Sequence, residues 1–297
     1  MITLKAFAKI NLFLEVMGKR ADGFHEIETC MIPIDLADQI AFWPDEEVTF
    51  TCDHPDVPTD ETNLILKAVR LLQAHAKYQG GVGIRMEKRI PMAAGLGGGS
   101  SDAALTLRAL NELWQLHLPH RELLELASQL GSDVPFFLFA SPAWCTGRGE
   151  IVAPFTLEAD LHFVLLCPNQ GCSTAEVYRR LTLSEPPRSS QAMRDACSRG
   201  DSAAIGAAMW NRLEAPATAL WPELSEARQW FATHGPALGV LGHQLSGSGS
   251  TYFALLPDAN LAWQCADALR ASFALVPGQD DSGLSLFVVG NRRSKGV

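Results

Sequence analysis

Residues Pro91-Met92-Ala93-Ala94-Gly95-Leu96-Gly97-Gly98-Gly99-Ser100-Ser101-Asp102 place four glycines in five positions, followed by two hydroxyls and a carboxylate. Glycine permits positive φ and lets the backbone approach a ligand without a Cβ in the way. A helix beginning behind such a turn presents free N–H groups and the positive end of its dipole, which suits phosphate. Ser100 and Ser101 add hydroxyls for phosphate or Mg²⁺, and Asp102 is a further metal candidate. The Gly-Lys-Ser/Thr ending of a Walker loop is missing. Two readings therefore stand: a phosphate cradle, or a glycine-rich connection with Ser100 as helix N-cap. A second turn, Ser246-Gly247-Ser248-Gly249-Ser250-Thr251, is either a flexible hairpin loop or a second wall for the same phosphates.

Asp133, in Gly131-Ser132-Asp133-Val134-Pro135-Phe136-Phe137, admits two roles. It suits a helix N-cap, with proline just inside the helix. In apolar surroundings it equally suits a base that accepts a proton from a hydroxyl attacking phosphorus. Lys9 and Asn11 fall on the same face of an alternating segment as Phe7 and Phe13, a face more apolar than a solvated one. Lys9 is thus the natural cation to hold Asp133 ionised or to steady a transferred phosphoryl group. His25, beside Asp22 and Gly23, is either structural or a hydrogen-bonding partner for a substrate.

These groups need elements to position them. Ile2 to Glu15 alternates at period two and predicts a long strand with one buried face. Gly18 to Gly23 predicts a turn, and His25 to Ile34 a second strand. Helical spacing appears over Asn63 to His75, over Ser101 to Trp114 behind the glycine turn, and around Leu123 to Leu130 before Gly131. Val82 to Ile90 alternates as a strand. The texture shifts near residue 150. Beyond it, Leu161 to Leu166, Tyr252 to Leu256 and Leu284 to Val289 read as strands. Ala192 to Trp210, Leu224 to Thr233 and Trp263 to Ala271 read as helices, and Asn291 to Val297 as a loose tail. Strands mixed with helices in both halves predict an α+β fold of two lobes, residues 1–157 and 158–297.

Composition excludes several classes. A formal net charge of -9 disfavours general nucleic-acid binding, which needs basic surfaces. Seven scattered cysteines without a CxxC pair argue against a disulfide framework or zinc site and for reduced thiols. Neither a signal peptide nor a stretch of about 18 apolar residues is present, so a cytoplasmic protein without a membrane partner, a monomer or homodimer, is expected.

Several of these motifs together resemble the GHMP kinases. Pro91 to Ala104 is similar to their second motif and Ser246 to Tyr252 to their third. The opening Ala8-Lys9-Ile10-Asn11-Leu12-Phe13-Leu14, then Gly18 to Glu26 and Gly131 to Phe137, resemble one branch, whose acceptor is an alcohol linked to cytidine diphosphate. The resemblance implies a two-lobed fold with a ferredoxin-like C-terminal lobe, ATP and Mg²⁺ as cofactors, and transfer of the γ-phosphate to a small-molecule hydroxyl. It implies Asp133 as catalytic base with Lys9, the triphosphate on Pro91 to Ser101, and Asn63 and Lys88 by the nucleotide. Asn11, Phe24, His25, Thr174 and Tyr178 would hold the substrate, His25 meeting the cytosine. Ser100 and Asp102 remain the metal candidates. Phe24 stands where tyrosine is typical, and Met31 where an aromatic often flanks the cytosine. A kinase for another alcohol, such as homoserine or mevalonate, and a non-catalytic nucleotide sensor are the alternatives.

Overall fold

The alternation starting at Ile2 builds strand β1 (Ile2–Lys19), which returns as β2 (His25–Asp45) in an antiparallel hairpin. The computed structural model describes residues 1–273, 275 and 284–292. β2 runs well past the expected end at Ile34, because Gln39 to Asp45 find a further partner in β4 (Gly81–Glu87). β1 departs from the expected single buried face. Thr3 and Lys5 are exposed, but from Ala8 to Val16 every residue is buried, on both faces of the strand. The reason is position: β1 lies between β2 and the short parallel strand β8 (Trp210–Asn211), and its Ala8, Ile10 and Leu12 share a core with Phe163, Leu165 and Phe253 from the second half of the chain.

The first sheet has the order β3-β4-β2-β1-β8, with β3 at Val48–Cys52; β5 (Ala143–Thr146) pairs with β2, and β6 (Ile151–Pro154) with β5. Four helices pack on it: α1 (Leu64–Ala76), α2 (Gly98–Leu113), α3 (His120–Leu130) and α4 (Val134–Phe139). Their shared core includes Phe42, Leu72, Ile84, Leu107, Leu110 and Phe136, apolar surface whose removal from water is the main drive for docking. α2 begins at Gly98 rather than near Ser101, so Ser100 lies in its first turn and Gly97 is the N-cap.

The second sheet is antiparallel, in the order β11-β7-β10-β9, with β7 at His162–Pro168, β9 at Gly242–Leu245, β10 at Tyr252–Leu256 and β11 at Leu284–Gly290. Helix α10 (Ala259–Ser272) joins β10 to β11, and between β7 and β9 lie α5 (Thr174–Arg180), α6 (Gln191–Arg199), α7 (Ser202–Ala208), α8 (Glu214–Leu220) and α9 (Pro222–His234). Numbered within this lobe alone, the strand order is 4-1-3-2, the ferredoxin-like arrangement. The helix expected over Ala192 to Trp210 is two. Gly200 takes φ +63° and closes α6, Asp201 accepts from Ala204 N to start α7, and Trp210 already belongs to β8. The expected tail also differs. Asn291 bridges to Ile34 and its side chain bonds Leu161 N and Ala159 O. Residues 293–297 lie outside the described residues.

Candidate active site

The glycine turn is held from both lobes. Lys9 N donates to Leu96 O at 2.9 Å and Lys9 Nζ to Gly95 O at 2.9 Å. From the second lobe, Ser246 Oγ donates to Gly95 O at 2.9 Å and Thr251 N to Ala94 O at 3.0 Å. Two glycines are required here. Gly95 has φ +74° and a Cβ on it would sit 2.1 Å from Ser246 O. Gly97 has φ +70° and a Cβ would sit 2.7 Å from the Phe137 ring. Beyond the turn no side chain caps α2, so the first-turn N–H groups of a 16-residue helix are available to an anion.

One cavity, of about 390 Å³, is lined by Pro91 to Gly95, Gly97 to Ser100, Asn63, Lys88 and Asp102. Leu96 and Ser101 line neither this cavity nor the next; both side chains are buried. Asn63 spends its amide on local structure, since its Oδ1 caps α1 at Ile65 N (2.8 Å) and its Nδ2 donates to Pro58 O (2.7 Å). Lys88 ion-pairs with Asp38 and with Asp102, the latter at 3.3 Å. Burial opposes the charge on Lys88, but Asp102 and Asp38 outweigh it and raise its pKa. Asp102 is itself pushed well above the carboxylate range by burial, with Lys88 opposing. Its Oδ1 is buried and has no hydrogen-bond partner among the described residues.

The second cavity, about 1120 Å³, lies across the same turn: Ala93, Gly95 and Gly97 line both. It gathers Lys9, Asn11, Phe24, His25, Asp133, Thr174 and Tyr178, drawn from β1, the β1–β2 turn, the α4 N-terminus and α5. Asp133 stands at the N-cap position of α4, yet its side chain makes no capping bond. It faces Lys9 instead, with Oδ2 3.7 Å from Nζ. Lys9 Nζ also donates to Asn11 Oδ1 at 2.7 Å, and Asn11 Nδ2 to Thr29 Oγ1 at 2.8 Å. Burial lowers the Lys9 pKa while Asp133 opposes the shift. His25 stacks on Tyr178 with ring centroids 4.9 Å apart. Burial, then Lys19, lowers the His25 pKa, so at neutral pH its ring is uncharged and offers one donor and one acceptor. Thr174 Oγ1 and Ser248 Oγ, on the second glycine turn, are 2.7 Å apart. Met31 belongs elsewhere: it is buried in the core under the first sheet, so it takes no part in the cavity wall.

Three features had no readable signal. Asp38 is an acidic residue inside a long strand, and only the β2–β4 pairing puts it beside Lys88. Lys19 and Arg148 also line the acceptor-side cavity. Arg148 stands between Gly147 and Gly149, outside every motif and periodic segment of the sequence. A separate cavity in the second lobe, lined by Leu166, Trp221, Glu223 and Phe273 among others, has no lysine or arginine among its described lining residues.

Two cavities sharing a glycine turn, with a lysine–aspartate pair on one side, define an ATP-dependent small-molecule kinase of the GHMP class. Accordingly, the family model described as GHMP kinases N terminal domain matches residues 63–141, and that described as GHMP kinases C terminal matches residues 193–275. The 4-diphosphocytidyl-2-C-methyl-D-erythritol kinase of Pelotomaculum thermopropionicum is 43% identical over 273 residues, 91% of this chain and 94% of that protein. The protein of the same name from Exiguobacterium sibiricum is 42% identical over 272 residues, 91% and 94% of the two chains. A crystal structure of 4-(cytidine 5'-diphospho)-2C-methyl-D-erythritol kinase superposes with a TM-score of 0.79 at 36% identity, covering 98% of this chain and 99% of that one. Homoserine kinase from Cytophaga hutchinsonii shares the fold, with a TM-score of 0.71 at 19% identity over 96% and 95% of the chains. The chain belongs to the 4-diphosphocytidyl-2-C-methyl-D-erythritol kinase family within the GHMP kinases.

Proposed function

We propose that this kinase transfers the γ-phosphate of ATP to the 2-hydroxyl of 4-diphosphocytidyl-2-C-methyl-D-erythritol, in non-mevalonate isoprenoid precursor biosynthesis, and does so in the cytoplasm. No helix among the described residues is long and apolar enough to cross a membrane. The lobes divide near residue 157. The observation that carries the reading is the shared wall: Ala93, Gly95 and Gly97 border both cavities, and the Lys9–Asp133 pair stands on one side only. That asymmetry supports seating the nucleotide in the cavity of Asn63 and Lys88 and the acceptor in the cavity of Asn11, His25 and Tyr178.

In this scheme the triphosphate lies along Pro91 to Ser101, on the open N–H groups of α2. Asp133 accepts the proton of the attacking hydroxyl, whose oxygen bonds to the γ-phosphorus as the bond to the β,γ-bridging oxygen breaks, releasing ADP. Lys9 faces Asp133 and the charge moving between the cavities. Phe24 and the His25–Tyr178 pair supply flat faces and hydrogen bonds for the cytosine. A divalent cation fits at Ser100 and Asp102, because the Asp102 carboxyl has a buried oxygen without a partner at the cavity wall. Mg²⁺ takes few protein ligands alongside phosphate oxygens, and when bound it would neutralise triphosphate charge.

The test is ADP release by the purified protein with four acceptors: the cytidine-diphosphate methylerythritol, the same alcohol without cytidine, homoserine and mevalonate. Turnover with the first alone is expected. Preference for homoserine or mevalonate would reassign the acceptor, and no turnover with any would return the chain to the nucleotide-sensor reading.

A further inference from the structure

The acceptor-side cavity contains more positive charge than phosphoryl transfer itself employs. Besides Lys9, its wall holds Lys19, Arg148 and Arg179. Lys19 and Arg179 are exposed side chains. Arg148 differs, since it is 29% exposed and built into its place. It sits at the tip of a loop fixed at both flanks. Ile27 N donates to Gly147 O at 2.8 Å, Gly147 N to Glu26 Oε1 at 3.0 Å, and Arg148 N to Glu150 Oε2 at 2.6 Å. Gly147 and Gly149 take φ of +73° and +114°, which gives the loop its tight shape. A Cβ on Gly149 would lie 3.6 Å from Asp133 Oδ1, so the backbone carrying Arg148 passes directly beside the proposed base.

The Arg148 guanidinium covers the Phe24 ring, with Cζ 4.7 Å from the centroid, and lies within electrostatic reach of Asp22. Stacking holds the plane of the fork while leaving its edge N–H groups able to donate. Its carboxylate partner, Glu150, is 3.9 Å from Nε, an ion pair without a hydrogen bond. Arg148 therefore spans the stretch between Asp133, where a hydroxyl would react, and Phe24, where a base would lie. In a nucleoside-diphosphate-linked alcohol that stretch is occupied by the diphosphate. Arginine is the side chain whose fork matches phosphate in bidentate fashion.

We infer that Arg148 is a specificity residue that binds the diphosphate bridge of the acceptor and so sets the distance between the base subsite and the reacting hydroxyl. This rests on the acceptor being a nucleoside-diphosphate-linked alcohol, as proposed above. The test compares wild type with Arg148→Gln and Arg148→Lys, measuring steady-state turnover and calorimetric binding of CDP and of cytidine. Arg148→Gln is expected to raise the acceptor KM and to weaken CDP roughly 10- to 100-fold, the scale of lost charge-assisted hydrogen bonds. Cytidine affinity and the KM for ATP should stay at wild-type values, and Arg148→Lys should recover part of the CDP affinity. Equal weakening of CDP and cytidine would overturn the inference, leaving Arg148 as a support for Phe24. Unchanged CDP affinity in Arg148→Gln would overturn it as well. Wild-type protein that neither binds CDP nor phosphorylates the cytidine-linked acceptor would instead defeat the underlying substrate reading.

Discussion

Asp133 leaves unmade a bond that its position invites. At an N-cap position an aspartate usually accepts from the first turn of its helix, and here that acceptor capacity is turned toward Lys9. Removing it should therefore affect chemistry far more than folding. We expect Asp133→Ala to lower kcat by about 10²- to 10⁴-fold, the range of a lost general base, while ATP affinity remains near wild type. Turnover within about threefold of wild type, measured by coupled ADP release, would refute the assignment. Both candidate roles of Asp133 were legible in the motif around it, and the shared face of Lys9 and Asn11 followed from strand alternation. What alternation could not say is that Lys9 would be buried, since that depends on the strand's neighbours.

Among the elements, the strand–turn–helix unit around Gly95 was readable from local chemistry, because glycine spacing and the following apolar period are both short-range signals. Its start at Gly98 was not, as Ser100 offers a tempting cap. Two glycines separate the structural from the ligand-facing part of the turn. A side chain at Gly97 would collide with Phe137 and with Lys9 Cγ, the latter at 3.1 Å, and would be strained at φ +70°. Gly97→Val should thus cost about 1–3 kcal/mol of stability, seen as a lower thermal midpoint, along with loss of ATP binding. The collision falls on the protein's own framework before any ligand arrives. At Gly99 the nearest neighbour of a Cβ is Leu64 Cδ1 at 3.5 Å, an ordinary contact. Gly99→Ala should fold at least as stably, since alanine is the better helix residue, and still bind ATP more weakly because the added methyl enters the cavity. Wild-type ATP affinity in Gly99→Ala would exclude this part of the turn from the phosphate site.

For the molecule as a whole, contacts between distant segments were beyond sequence reading. Asn211 donates to Leu245 O and Gly247 O, and Gln244 donates to Asn11 O and Leu12 O, so the second-lobe turn is tied to β8 and the strand before it to β1. Glu15, fully buried, accepts from Arg212 Nε at 2.7 Å, Trp210 Nε1 at 2.9 Å and Arg188 N at 2.9 Å. Apart from the neighbouring Val16 N, its partners lie at sequence separations of 173, 195 and 197. No window of periodicity spans that. Breaking a buried pair leaves an uncompensated charge, so Glu15→Gln should destabilise by about 3–5 kcal/mol in urea unfolding. A cost under about 1 kcal/mol would mean that Arg212 relaxes into solvent and that the lobes do not depend on this junction.

The wall shared by the two cavities has a practical side. Ala93, Gly95 and Gly97 line both, so two ligands seated at once would approach each other along that turn. A single tethered compound with a head for each chamber would make its second attachment intramolecular, at an effective concentration set by a very short linker. Such a compound would gain selectivity as well as strength, because a protein offering only one of the chambers could hold only half of it.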